Sequence, residues 1–405
     1  MGIELRIGRL EPAGIEESLE LSQFAFQYKL TPAELEDMKV LYQEEPADRW
    51  IVYDGKSIAA KATVLDLAFY VGGRVIKAGG VAGVATWPEY RRQGLVSRLL
   101  VHSLQEMKAK GQVLSMLSPF EVGFYRKFGW ELYTDKKKYT LTVSQLPPRV
   151  PYSGKMERRS SRDSLHDLYH AVASRYNGSL VRTPLWWKHH ARGGNEAQAA
   201  VYVDQGGEDR GYLLYSVKDR QLVVHELMAL DHQAEKAIWS FIGQHDSMIK
   251  EVRIEVPIDD TLPDMLPDPR ITQEIVPYFM ARIVDVESFL QQYPFGSSTR
   301  HDLFKLCITD KYAPWNEGIY ELAINAKGEV QVQKLNQQSE EGGFQKDTLD
   351  DSVISADIGA LAMLLLGYRS GKQLSASGLI CCSSESINRL QCRIPEQTTW
   401  LPDFF

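Results

Sequence analysis

The chain is poor in cysteine. It has four in 405 residues, Cys307, Cys381, Cys382 and Cys392, and none in its first half. They show no zinc spacing, and the adjacent Cys381-Cys382 pair cannot easily close on one metal. Reduced thiols in a cytoplasmic protein, with no bound metal, are therefore expected. No apolar run approaches the roughly 18 residues of a membrane span, so no membrane partner is expected. The opening MGIELRIGRLEPAG is charged throughout, where a secretory leader needs an apolar centre. Leu5 and Arg6 stand where a myristoylation signal leads to Ser or Thr. Two phosphate-binding signatures are also missing, the Gly-Lys-Ser/Thr loop and the G-x-G-x-x-G turn. His166 and His170 have the i, i+4 spacing of a metal pair. No third ligand is signalled, and they read as surface helix histidines.

What is present is an ordinary globular composition, 44% apolar and 24% charged, in a chain too long for one core. The net charge of −7 is unevenly spread. Residues 1–147 carry 19 basic and 18 acidic side chains, 148–287 carry 17 and 21, and 288–405 carry 10 and 14. The first segment is the least acidic and suits a phosphate-bearing ligand. The acidic remainder favours a cationic small molecule and argues against nucleic acid.

Patterning divides the chain at the same places. Glu4 to Leu10 reads as a strand and Gly14 to Tyr28 as a helix with Leu19, Phe24 and Phe26 among its apolar positions. Thr31-Pro32-Ala33-Glu34 starts a second helix. Trp50–Asp54, Ser57–Tyr70 and Arg74–Thr86 form a meander turning at Asp54-Gly55. The proline-rich run 145–151 is a linker. Beyond it, strands at 199–202, 211–218 and 251–256 surround a helix near 233–242. From about Val286 the pattern becomes strands at 303–310, 318–324 and 329–335, then a strongly apolar helix from Asp357 to Leu366. That helix invites a lipid-pocket reading, against which stands simple core packing.

The stretch Gly79–Trp130 carries the chemistry. Gly80 to Thr86 reads as a buried strand, which Pro88 ends. Arg91-Arg92-Gln93-Gly94-Leu95-Val96 leads into a helix with Val96, Leu100, Leu104 and Met107 on one face and Gly111 past its end. The first amides of a helix have no partners within it, so such a turn suits pyrophosphate. Gln112–Leu117 reads as a further strand. Ser118-Pro119-Phe120-Glu121 then reads as a capping box that starts a helix bearing Phe124 and Tyr125 and closed by Gly129.

This stretch resembles the acetyl-coenzyme A binding core of the GNAT superfamily of N-acetyltransferases, whose R/Q-x-x-G-x-G/A turn cradles pyrophosphate. Val96 stands where the last small residue of that turn belongs. The enhanced-intracellular-survival (Eis) family tolerates bulk there, and the APWN and DIGALAMLLLGYRS segments resemble its sterol-carrier-like region. The resemblance implies an α+β protein with two tandem GNAT-like α/β domains, 1–147 and a degenerate 148–287, then a sterol-carrier-protein-like domain, 288–405. It implies acetyl transfer from acetyl-coenzyme A to a primary amine, aminoglycosides or similar polyamines. Protein lysines are an alternative acceptor, and a lipid-binding protein with a vestigial core is another reading. Backbone groups of Val84, Ala85 and Thr86 would hold the pantetheine arm, and Arg91, Arg92, Gln93, Gly94, Leu95, Val96 and Ser97 the pyrophosphate. Tyr125 would be the general acid. Phe24, Phe26 and Tyr28 would line the acceptor pocket, with core packing as their alternative. Relatives assemble as hexamers, so a homo-oligomer is implied.

The chain end, Trp400-Leu401-Pro402-Asp403-Phe404-Phe405, has four large apolar residues in six. Exposing both phenylalanines would forfeit a few kcal/mol of burial, so the tail is expected to insert into the protein. A buried terminal carboxylate needs partners. In the resemblance it is the general base, which falls here on Phe405; the alternative is a tail that only staples the third domain in place.

Overall fold

The computed structural model describes residues 5–190, 192–194, 197–335 and 352–405. Of the expected first strand, Glu4 lies outside these residues. The first segment forms β1 (Arg6–Arg9), α1 (Ile15–Phe26), α2 (Pro32–Glu44), β2 (Ala47–Asp54), β3 (Ser57–Val71), β4 (Arg74–Thr86), α3 (Leu95–Ala109), β5 (Leu114–Leu117), α4 (Val122–Arg126) and β6 (Glu131–Thr142). The second forms β7 (Lys155–Arg159), α5 (His166–Ala173), α6 (Pro184–His190), β8 (Gln198–Val203), β9 (Asp209–Lys218), β10 (Gln221–Ala229), α7 (His232–Gly243), β11 (Glu251–Val256) and β12 (Thr272–Ile283). The third forms α8 (Val286–Gln292), β13 (Asp302–Thr309), β14 (Gly318–Ile324), β15 (Val330–Leu335), β16 (Val353–Asp357), α9 (Ile358–Leu365), α10 (Gly371–Ala376), β17 (Ile380–Cys381) and α11 (Ser384–Gln391).

The first two segments share one twelve-stranded sheet, ordered β1-β2-β3-β4-β5-β12-β6-β11-β10-β9-β8-β7. The last strand of each segment is paired within the other's territory: β12 lies between β5 and β6, and β6 between β12 and β11. Pro277 explains why β12 escapes a reading of the sequence, since proline has no amide for a central ladder. The structure absorbs it with register shifts on either side of Phe279.

The third segment has its own five-stranded sheet, β15-β14-β13-β16-β17. Every residue of α9 is buried, in a core shared with Leu65, Phe69, Met116 and Phe279 of the large sheet. Core packing, rather than a lipid pocket, accounts for its leucines. The helix docks the third segment onto the sheet at β6 and β12.

Two local expectations change. Glu121 is extended (φ −151°, ψ 109°) and its side chain caps Gly123 N at 3.3 Å, so α4 begins at Val122. The capping box at Ser118 does not form, because Glu121 is itself extended and serves as the N-cap of a helix of one short turn. In α1 the buried positions are Ser18, Leu19, Leu21 and Ser22, while Phe24 and Phe26 point outward. No helix among the described residues is long and apolar enough to cross a membrane.

Candidate functional site

Two adjacent glycines mark where the site is built. A Cβ on Gly79 would meet Met107 of α3 at 2.3 Å, and one on Gly80 would meet the Phe405 ring at 2.9 Å. Successive strand residues face opposite sides of a sheet. Helix α3 therefore covers one face of β4 and the chain end covers the other.

Just beyond these glycines the sheet opens. The parallel ladder of β4 with β5 runs from Ala78–Leu114 to Val81–Leu117 and stops. Gly83 follows in the left-handed region (φ +58°), beside a register shift between Lys61 and Thr63 on β3. Val84, Ala85 and Thr86 lie past the end of that ladder, held from the other side by β3 through Lys61–Ala85 and Ala60–Thr86. This leaves their β5-side edge available to an extended ligand.

The chain then turns into α3. Arg92 (φ +61°) and Gly94 (φ +74°) both take left-handed backbone, and no side chain caps Gly94. The first amide bonded back into the helix is Arg98 N, to Gly94 O at 3.1 Å. The amides of Leu95, Val96 and Ser97 therefore have no acceptor within the helix. A Cβ on Gly94 would find no atom within 4 Å, so the cradle is open in front of them. Arg91, Arg92 and Gln93 are exposed beside it. The Leu95 side chain is buried in the core, which leaves its backbone for a ligand.

Tyr125 is buried in the same cluster as Val81, Leu95, Leu99 and Leu117, so it shares one core with the ladder's end and the start of α3. Its ring meets Phe120, Phe124 and Trp130. Burial raises its pKa above the ordinary tyrosine value. Helix α4 is braced from the third segment, where Tyr312 packs on Phe128 (4.6 Å between centroids). Buried Arg282 also bridges the Phe128 carbonyl and Asp310.

Phe405 packs on Phe69, Trp186 and Phe279 across from α3. Phe404, by contrast, is 61% exposed and lines an open groove of about 660 Å³ with Lys136, Arg192 and Tyr278. The tail is thus inserted except at Phe404, with Trp400 and Leu401 buried. Its fixed point is polar. The Asp403 carboxylate, 1% exposed, meets Arg182 Nε at 2.9 Å, Trp186 Nε1 at 2.8 Å and Tyr169 OH at 3.1 Å. The other edge of the Arg182 guanidinium holds Glu226, which also accepts from Tyr212. These residues were missed from sequence. The one available signal was Glu226 at the inward position of an alternating run, Leu222, Val224, Glu226, Met228.

Phe24, Phe26 and Tyr28 are exposed by 50%, 50% and 37%, which removes core packing as their explanation. Phe24 packs at a tilt on Trp87 just past the end of β4, with α1 packed over Ala85. His166 and His170 are not surface residues as expected but half-buried. Both Nε2 atoms face the Arg182 carbonyl, at 3.2 and 3.1 Å. Among the described residues no group of three or more His, Cys, Asp or Glu side chains is placed to hold a metal.

Comparison with known proteins agrees with this anatomy. Acetyltransferase (GNAT) domain models match residues 6–133 and 178–283, and a sterol carrier protein domain model matches 286–402. The chain is 25% identical over 364 residues to an uncharacterized N-acetyltransferase of Streptomyces avermitilis, covering 83% of this chain and 82% of that one. It is 26% identical over 239 residues to the N-acetyltransferase Eis of Mycobacterium tuberculosis, covering 54% and 58%. A probable N-acyltransferase structure from Enterococcus faecalis superposes with a TM-score of 0.91 at 26% identity, over 99% of this chain and 100% of that one.

Proposed function

The chain belongs to the Eis-like N-acetyltransferases of the GNAT superfamily, and from that premise we propose that it moves an acetyl group from acetyl-coenzyme A to a primary amine of a polycationic small molecule, an aminoglycoside or a similar polyamine. The observation that carries the reading is the two-faced arrangement at Gly79 and Gly80. A strand edge and free helix amides open on the α3 side, and the chain terminus reaches the same strand from the opposite side.

The residues present fit the donor. The open turn before Gly94 and the unpartnered amides of Leu95 to Ser97 suit a pyrophosphate, with Arg91 and Arg92 adding charge. Val84 to Thr86 offer an extended edge to the pantetheine arm. When bound, acetyl-coenzyme A supplies the acetyl group as a thioester. Tyr125, kept neutral by burial, donates a proton to the departing sulfur. The Phe405 carboxylate attracts and orients the incoming ammonium. With an ordinary α-carboxyl pKa of about 3.5, it takes the amine proton through water rather than directly. Phe24, Phe26 and Tyr28 form an aromatic rim for the acceptor. Assembly into a homo-oligomer, hexameric by the resemblance, belongs to the same reading.

The test is calorimetric binding of coenzyme A, followed by thiol release from acetyl-coenzyme A with a panel of aminoglycosides, linear polyamines, lysine peptides and simple amines. The reading expects tight coenzyme A binding, and release that depends on acceptors with several ammonium groups. Release favouring monoamines or lysine peptides would overturn the acceptor class, and failure to bind coenzyme A would overturn the donor site.

A further inference from the structure

We propose that Asp403 is the positioning residue of the reaction: anchored by Arg182, it sets where the Phe405 carboxylate stands. This rests on the reading of that carboxylate as proton acceptor, and it gives the second GNAT segment a part in catalysis.

Apolar docking seats Trp400, Leu401 and the Phe405 ring but not the Phe404 ring between them, which is mostly exposed. A buried carboxylate tolerates few positions, since leaving it unpaired is strongly destabilising. Asp403 is met by Arg182, Trp186 and Tyr169, and its carbonyl accepts from Tyr278 OH at 2.7 Å. Arg182 cannot swing toward another partner, because its far edge is held by Glu226. Its own segment is pinned in turn. Phe69 of β3 bridges to Leu180, Ser179 Oγ donates to Trp400 O at 2.8 Å, and Asn177 pairs in parallel with Thr399. Two residues of extended chain span at most roughly 7 Å, so a fixed Asp403 confines the terminal carboxylate to a small volume around it, while the Phe405 ring is seated on Gly80.

The anchoring groups Tyr169, Arg182, Trp186, Tyr212 and Glu226 all come from residues 148–287, a segment whose sequence has no RRxG run. Its contribution is to hold the chain end.

The test is a double-mutant cycle on the full-length enzyme, using Asp403→Asn, a semisynthetic Phe405 amide, and the two combined. Misplacement of a reacting group costs up to about 10²-fold. Asp403→Asn should therefore lower kcat by about 10- to 100-fold with the KM for acetyl-coenzyme A unchanged. The double variant should be no slower than the amide alone, because Asp403 acts only through that carboxylate. Multiplying losses, or an Asp403→Asn enzyme within a few-fold of wild type while the amide is inactive, would overturn the positioning role and leave the base assignment standing. An amide as active as wild type would instead overturn the base assignment, and the positioning role with it. If Asp403→Asn fails to fold, Tyr278→Phe removes only the hydroxyl on the Asp403 carbonyl and enters the same cycle.

Discussion

The ring of Phe405 occupies the space that a side chain on Gly80 would fill: a Cβ there would lie 2.9 Å from Phe405 Cε2 and 2.5 Å from Leu67 Cδ1. The last residue of the chain is thereby seated on a strand 325 positions earlier, one residue before the β4–β5 ladder ends at Val81. The absence of a side chain, rather than backbone freedom, is what this glycine supplies.

Gly80→Ala should push the Phe405 ring out of its seat. The neighbours are the ends of side chains, so the fold should survive at an overpacking cost of about 1–3 kcal/mol. Coenzyme A binding, on the other face, should stay near wild type while kcat falls. Calorimetry and steady-state kinetics on one preparation check both.

Gly94→Val should act on the donor alone. Space around a Cβ is open, but φ is +74°, where an L residue pays about 1–2 kcal/mol and a β-branched one more. The turn should rearrange, raising the KM for acetyl-coenzyme A with little effect on the acceptor. Unchanged donor affinity in the folded variant would remove the pyrophosphate assignment.

Tyr125→Phe keeps the buried ring and removes the hydroxyl. Coenzyme A binding should persist while kcat falls by about 10²–10⁴-fold, the range of general-acid catalysis. Burial raises the hydroxyl's pKa, so its proton is retained past the ordinary tyrosine value of about 10. Any rate loss from ionising it should appear only above that value in wild type. Turnover close to wild type in the variant would leave Tyr125 structural.

Lys61 predicts a pH dependence of stability. Its ammonium is buried among Ser18 and Ser22 of α1 and Tyr42 of α2. Burial first, and then Arg49, hold its pKa down to about 7. The unfolded chain keeps this proton up to about pH 10, while the folded protein releases it near 7. The unfolded state then binds more protons across that interval, so stability rises with pH there, and the full cost of the buried charge is felt below it. Lys61→Met should flatten the rise, measured by urea unfolding at the two ends of the interval. An unchanged slope would mean that Lys61 stays charged.

The strand, turn and helix around α3 were legible because their rules are local. The apolar spacing of α3 and the helix-ending glycines Gly111 (φ +71°) and Gly129 (φ +85°) each depend on a few neighbouring residues. The composition of the tail likewise announced that the chain end is not free. Tertiary structure decided the rest. Pro277 hid a central strand until its register shifts were seen, and the extended Glu121 moved the start of α4. Phe404 turned outward although its neighbour turned in. The anchor of the tail is a buried charge pair whose members, Arg182 and Asp403, stand 221 residues apart. Such a pair leaves no spacing to read, because each residue is stable in the interior only once folding has brought the other to it.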